Sequence, residues 1–235
     1  MKKTAVLIDA GFLRTFLPAP VDFKSLADII EAFASNCVLT ADNEEMHRVL
    51  YYDCKPYDGD GSNKPHPIDG PKPPVSIAKQ NFFNSTLSIL KTKPYFAVRL
   101  GEVSFDGWAL SDRATRDILE HRRAPTSNDF IPVLRQKGVD LRIGLDVALM
   151  AKDRLIDRIV VVSGDSDIVP AMKVARREGV QVVLVSLNHA IKGSLREHAD
   201  LYRNVDLRAI VTRLYPAGLP SRVAPTAATP TAVPE

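Results

Sequence analysis

Two cysteines among 235 residues, Cys37 and Cys54, are too few for a disulfide framework or a cysteine zinc site, and no motif pairs them. The expectation is a reduced chain with structural thiols. No apolar run approaches the ~18 residues of a membrane helix. Only Met1-Lys2-Lys3 precedes the first apolar segment, so no signal-type apolar region is read there. Together these absences make a cytoplasmic protein with no membrane partner the expectation. A dominant charge is lacking too: 31 Lys and Arg against 28 Asp and Glu leave +3, which is compatible with nucleic acid but no argument for it. The 12 glycines form neither a P-loop nor a dinucleotide fingerprint. The five histidines (His47, His66, His121, His189 and His198) show no i, i+4 ligand spacing, which argues against a histidine metal site.

What the chain does have is 45% hydrophobic and 25% charged residues, ordinary for a globular domain with a sizeable core. Short β-branched runs at Ala5–Asp9, Arg48–Tyr52, Tyr95–Val103, Ile159–Val162 and Val180–Ser186 read as strands. Helices are expected over Ser25–Cys37, Ser76–Thr92, Asp140–Lys152, Ile168–Glu178 and Leu207–Leu214, with a short one near Leu195–Ala199 and an edge strand at Leu201-Tyr202. Gly179 is the expected stop of the helix before it, and Pro170 fits that helix's first turn. The alternation predicts an α/β fold, a three-layer α/β/α sandwich on a mainly parallel sheet. Lys55–Pro74 is too rich in Pro, Gly and Asp for regular structure and reads as a long loop. Ser104–Asn128 reads as an insertion with a short helix, followed by a strand, Phe130–Arg135, paired back on Tyr95–Val103. Residues 1–215 form the expected domain; 216–235, alternating Pro, Ala and Thr, form an expected disordered tail.

Acids follow two of the strands. Asp9 ends the first, and Ser163-Gly164-Asp165-Ser166-Asp167 follows Ile159–Val162. Open parallel sheets place their ligands beyond such carboxyl ends. Carboxylates gathered there repel one another and raise each other's pKa values unless a cation intervenes. Mg²⁺ takes oxygen ligands and keeps several waters, which suits Asp rather than His or Cys. Asp146 lies beside an expected buried stripe of Leu141, Leu145, Ala148 and Leu149, and Asp140 opens the same helix. Singly, each acid has an ordinary alternative: Asp9, Asp140 and Asp167 as caps, Asp165 as a turn residue, Asp146 as a solvated helix residue.

Ile8-Asp9-Ala10-Gly11-Phe12-Leu13, Lys137-Gly138-Val139-Asp140, Leu145-Asp146, Val162-Ser163-Gly164-Asp165-Ser166-Asp167, Gly179-Val180-Gln181-Val182 and the closing Leu195…Ala199-Asp200 resemble, in order, the signatures of NYN-domain proteins of the LabA-like branch, within the PIN-like nuclease superfamily. The resemblance runs from residue 5 to about residue 215, leaving the loops at 55–75 and 104–128 uncovered. It implies a metal-dependent ribonuclease using Mg²⁺ or Mn²⁺ on RNA, single-stranded by expectation. Asp9, Asp146, Asp165 and Asp167 would be the catalytic, metal-binding acids, Asp140 a further metal-site member and Ser163 a polar support that touches substrate. One position departs: many members carry Asn three residues after the first Asp, and this chain has Phe12.

Arg113, Arg116 and Arg122 are the candidate RNA contacts, with Lys91, Lys93 and Arg123 near them and Lys55, Tyr57, Lys64 and Lys72 in the long loop. Trp108 reads as a packing anchor. Two other classes stay open. A catalytically weak or inactive RNA-binding or scaffold protein on the same fold is favoured by Phe12. A haloacid-type phosphatase is disfavoured by Gly11 where that class needs a second Asp. The sequence leaves the oligomeric state open, a homo-oligomer included.

Overall fold

The computed structural model describes residues 1–17, 21–59, 64–68, 70 and 75–220. Among them, seven strands form one sheet in the order β4-β3-β2-β1-β5-β6-β7. The strands are β1 (Lys2–Asp9), β2 (Glu44–Cys54), β3 (Phe96–Leu110), β4 (Phe130–Lys137), β5 (Arg158–Val162), β6 (Gln181–Ser186) and β7 (Leu201–Asn204). All neighbours pair in parallel except β3 with β4. The helices are α1 (Ala10–Arg14), α2 (Phe23–Asn36), α3 (Ile77–Leu90), α4 (Asp112–His121), α5 (Val139–Lys152), α6 (Val169–Arg177), α7 (Gly193–Arg196) and α8 (Leu207–Leu214). This is the expected α/β architecture.

Strand alternation divides the core in two. Val6, Ile8, Val49, Tyr51, Val160 and Val162 face α2, α3 and α8, while Ala5, Leu7, Leu50, Tyr52, Ile159 and Val161 face α5 and α6. β1 and β5 are thus covered on both faces, which explains why both read as continuous apolar runs instead of alternating ones. The local signals agree with this packing. Asp22, Ser76 and Asp206 cap α2, α3 and α8 through their side chains. Gly179 (φ +83°) follows α6 in the left-handed conformation, its N–H donating to Arg176 O and that of Val180 to Ala175 O.

The winding direction reverses once. From β1 the chain steps through β2 and β3 toward one edge; after the β3–β4 hairpin, α5 carries it back to β5, on the other side of β1, and it proceeds to β6 and β7. Right-handed crossovers in opposite directions place α2 and α3 on one face and α6 on the other. The carboxyl ends of β1 and β5 therefore flank a crevice that no crossover covers.

At the opposite, amino-terminal edge a buried ion cluster ties three strands. Glu44 of β2 is fully buried and bonds Arg158 of β5 and, at 2.8 Å, Arg203 of β7. Desolvation pushes the Glu44 carboxyl up, but hydrogen bonds from Arg203, the Leu39 N–H and Arg158 outweigh it and hold it below the ordinary carboxylate range.

Two expectations need correction. Ser104–Leu110 is the outer half of β3, not part of an insertion: it pairs with β4 from Glu102↔Lys137 to Leu110↔Phe130. Its polar residues and Gly107 (φ +114°) hide it in the sequence, because Gly107 sits at a bulge where the register shifts. The stripe on α5 is also reversed. Ile143, Val147, Met150 and Ala151 are buried, whereas Leu141, Leu145 and Leu149 are 67%, 53% and 56% exposed. The helix is apolar on two sides, so periodicity alone cannot choose which faces the sheet. The tail expected from residue 216 still packs at Leu219, which lies against the α2/α8 side of the core; residues 221–235 lie outside the described residues.

The two sides of α5 should separate cleanly in denaturation experiments. Leu145→Ala is expected to shift stability by no more than about 0.5 kcal/mol. Ile143→Ala, which empties a buried position on the sheet-facing side of the same helix, should cost about 2–5 kcal/mol.

Candidate metal site at the carboxyl edge of the sheet

Parallel pairing of Ile8 with Val162 sets the next residues, Asp9 and Ser163, side by side. The Ser163 hydroxyl donates to Asp9 Oδ2 at 3.2 Å and accepts from the Asp165 N–H at 3.1 Å. One buried hydroxyl thus links the two strand ends. Asp9 Oδ1 accepts from the Phe12 N–H at 3.2 Å and so caps the single turn of α1. Gly11 keeps the space beside it open, since a Cβ there would lie a tight 3.2 Å from that same oxygen. Asp165 caps the following turn by accepting from the Asp167 N–H at 3.1 Å. The ordinary capping roles are therefore real for Asp9 and Asp165. Asp167 makes no such cap, and the N-cap of α5 is Gly138, not Asp140.

Asp140, in the first turn of α5, completes the group. Its carboxyl is pushed up from the usual range by desolvation first and then by the charges of Asp165, Asp167 and Asp9. That mutual repulsion records the proximity of four acids that are far apart in sequence. Asp140, Asp165 and Asp167 are exposed at the rim and Asp9 is half-buried.

Asp146 is placed differently. Its Oδ2 accepts from the Tyr52 hydroxyl and from Arg99 Nε, each at 3.0 Å. The pair spans α5, β2 and β3, and its charge is already balanced. Arg99 and Tyr52 carry no sequence signal; each lies in a short, largely apolar stretch of its strand, residues 96–100 and 49–52 respectively.

The four edge acids offer only hard oxygen donors and form no ion pair among the described residues, although Asp9 lies within electrostatic reach of Arg14, so the donor set fits a divalent ion of the Mg²⁺ or Mn²⁺ kind. As the side chains stand, no three His, Cys, Asp or Glu groups among the described residues are gathered closely enough to ligate one ion. Such an ion would be held by few direct carboxylates, the others acting through water.

Beside the acids lies a cavity of about 490 Å³. Asp9, Phe12, Ser163, Gly164 and Asp165 form one wall; Leu187, His189, Ile191 and Lys192, from the loop after β6, form the other. That loop was not singled out in the sequence, though its place after the strand next to β5 was a usable signal. Phe12 lies over Gly164, where a Cβ would come within 2.5 Å of the ring.

The expected RNA contacts are not gathered at this cavity. Arg113 and Arg116 are exposed on α4 and Arg122 closes that helix in the left-handed conformation, at the far end of the β3–β4 hairpin. None of the three lines the cavity. Lys93 is paired with Asp28 and Glu31, and Arg123 with Asp117 and Asp129. Lys55 and Tyr57 line a second cavity with the Arg14–Asp53 pair. Trp108 packs on His66 and Phe105, the anchor role expected of it. Lys72 lies outside the described residues.

Residues 60–206, more than half of the chain, match the family model of the NYN domain. The chain belongs to the NYN domain family. The match takes in β3 to β7 with Asp140, Asp146, Ser163, Asp165 and Asp167, whereas Asp9 precedes it and joins them through β1–β5 pairing. Over 70 residues the chain is 39% identical to an uncharacterized protein, y4oD, of Sinorhizobium fredii (strain NBRC 101917 / NGR234); the aligned part is 28% of this chain and 32% of that relative's length. A protein of unknown function, VPA0982, from Vibrio parahaemolyticus RIMD 2210633 aligns over 87% of this chain and 93% of its own at 17% identity, with a TM-score of 0.43. No helix among the described residues is long and apolar enough to cross a membrane.

The crowding at the site has a pH signature in metal-free protein. Because the folded-state pKa of Asp140 is raised, its ionisation disfavours the fold, and that penalty is absent below the unfolded value of about 3.9 and complete above the folded one. Asp140→Asn should therefore raise the thermal midpoint at pH 7 in EDTA, with the gain vanishing by about pH 3. An equal gain at both pH values would show that charge is not its cause.

Proposed function

We propose that this NYN protein is a metal-dependent ribonuclease that hydrolyses RNA phosphodiester bonds at the acidic edge between β1 and β5, and that it belongs to the LabA-like branch. The observation carrying the proposal is the crowding of Asp9, Asp140, Asp165 and Asp167 at the point where the winding direction reverses. Acids crowded without ion pairs at that crevice are costly for folding and useful for phosphate chemistry only with a cation present.

In this reading Asp9, Asp165 and Asp167 hold a Mg²⁺ or Mn²⁺ ion, with Asp140 close by. When bound, such an ion acidifies water and offsets charge on the scissile phosphate. The chain's own contributions are positional and basic. Ser163 orients Asp9 and the Asp165 backbone together. Asp140, whose carboxyl desolvation and neighbouring charges push up from the ordinary range, would accept a proton from the attacking water. Asp146 braces α5 against β2 and β3 through Tyr52 and Arg99. It joins the ion only if that pairing opens. Single-stranded RNA is the proposed substrate, because an exposed crevice at a sheet edge admits an extended strand. Residues 1–215 are taken as the catalytic unit, acting in the cytoplasm, with Arg113, Arg116 and Arg122 as outlying contacts for longer RNA.

A second reading has a specific observation behind it: among the described residues no three acids converge closely enough to ligate one ion, as a binding protein without turnover would allow. Cleavage of a labelled single-stranded oligonucleotide separates the two. Wild type should cut in Mn²⁺ or Mg²⁺ and not in EDTA. Asp165→Asn should lose about 100-fold or more without any fall in its thermal midpoint. RNA binding without cleavage in any divalent metal selects the second reading.

A further inference from the structure

We propose that the cavity beside Asp9 is a nucleobase subsite, in which a base stacks on Phe12 while its phosphate meets Lys192. This rests on the ribonuclease reading of the acids and assigns the group bound next to them. The volume, about 490 Å³, lies within the ~300–1,000 Å³ of small-molecule sites. Its chemistry is two-sided. Asp9 and Asp165 on one wall repel a bare anion, so inorganic phosphate alone is a poor occupant. The remaining lining joins apolar and aromatic groups, Phe12, Leu187, His189 and Ile191, to neutral polar ones such as Thr15 and Gln136, with the exposed Lys192 as the Lys or Arg cation among them. A flat group with apolar faces, carrying one phosphate, matches both halves.

The platform is ordered before any ligand arrives. Phe12 sits over Gly164, and only glycine leaves room for the ring there. Phe16 meets Phe12 edge-on at 5.0 Å between centroids, and His189 meets Phe16 at 5.8 Å. Three rings from two segments thus fix the stacking face, and a rigid face limits the entropy lost on binding. Base stacking on an aromatic side chain is tolerant of sequence, so the subsite secures a nucleotide without dictating which.

The test uses adenosine 5′-monophosphate, with ribose 5-phosphate and inorganic phosphate as controls, titrated into the full chain in EDTA and followed by calorimetry and NMR. The monophosphate should bind at least tenfold more tightly than either control. Phe12→Ala should weaken it roughly tenfold or more and Phe12→Tyr should preserve it. Lys192→Glu, at an exposed position that cannot disturb the core, should weaken the monophosphate but not adenosine. Equal affinity for ribose 5-phosphate, or monophosphate binding indifferent to both Phe12→Ala and Lys192→Glu, overturns the subsite. Oligonucleotide cleavage by the same proteins separates the two proposals. Cleavage with an unchanged KM in Phe12→Ala removes the subsite and keeps the nuclease. Phe12-dependent binding in a protein that never cleaves keeps the subsite and removes the nuclease.

Discussion

Parallel pairing of β1 with β5 is the constraint on which the rest depends. These strands are separated by more than half the chain, yet their side chains are buried on both faces and in register from Thr4↔Arg158 to Ile8↔Val162. Burial of each such Val, Leu or Ile contributes about 1.5–3 kcal/mol. That energy is enough to hold like charges together one residue further on. The apolar register determines where Asp9, Ser163 and Asp165 lie, and the reversal of winding at the same pair leaves the crevice above them open.

Two groups of acids near the sheet differ in how their charge is met. Glu44, Asp53 and Asp146 are held by arginines: Glu44 by Arg158 and Arg203, Asp53 by Arg14 at 2.5 and 2.8 Å, and Asp146 by Arg99. They tie strands and helices together and their charge is balanced. Asp9, Asp140, Asp165 and Asp167 form no ion pair among the described residues, and they share one edge. The proposed cation site rests on this contrast: the fold pairs the first group with arginines and leaves four exposed or half-buried acids together at one edge.

The sequence made the central sheet readable because β1, β5 and β6 are buried on both faces, and such strands appear as uninterrupted β-branched runs. Ser163-Gly164-Asp165-Ser166-Asp167 was legible for the same reason, since it follows directly on one of them. Contacts between elements were not legible. Periodicity could not tell that α5 turns Ile143 and Val147 inward and Leu141 and Leu145 outward, because both sets repeat at helical spacing. Nor could it show that Arg99 and Tyr52 reach Asp146 from two neighbouring strands. The outer half of β3 was hidden by Gly107 and its bulge. Phe12 read as a departure from a pattern, and only its contact with Gly164 shows what the ring does: it forms a wall of the cavity next to the acids.

The central claim is that the acids at the β1–β5 crevice act together on one divalent cation. Calorimetric titration of Mn²⁺ into metal-free protein, compared between wild type and Asp165→Asn, tests it most directly. The account predicts saturable binding to wild type that is weakened at least tenfold by that one substitution in a protein that remains folded. Binding of equal strength in both, or none by wild type at millimolar Mn²⁺, would contradict it.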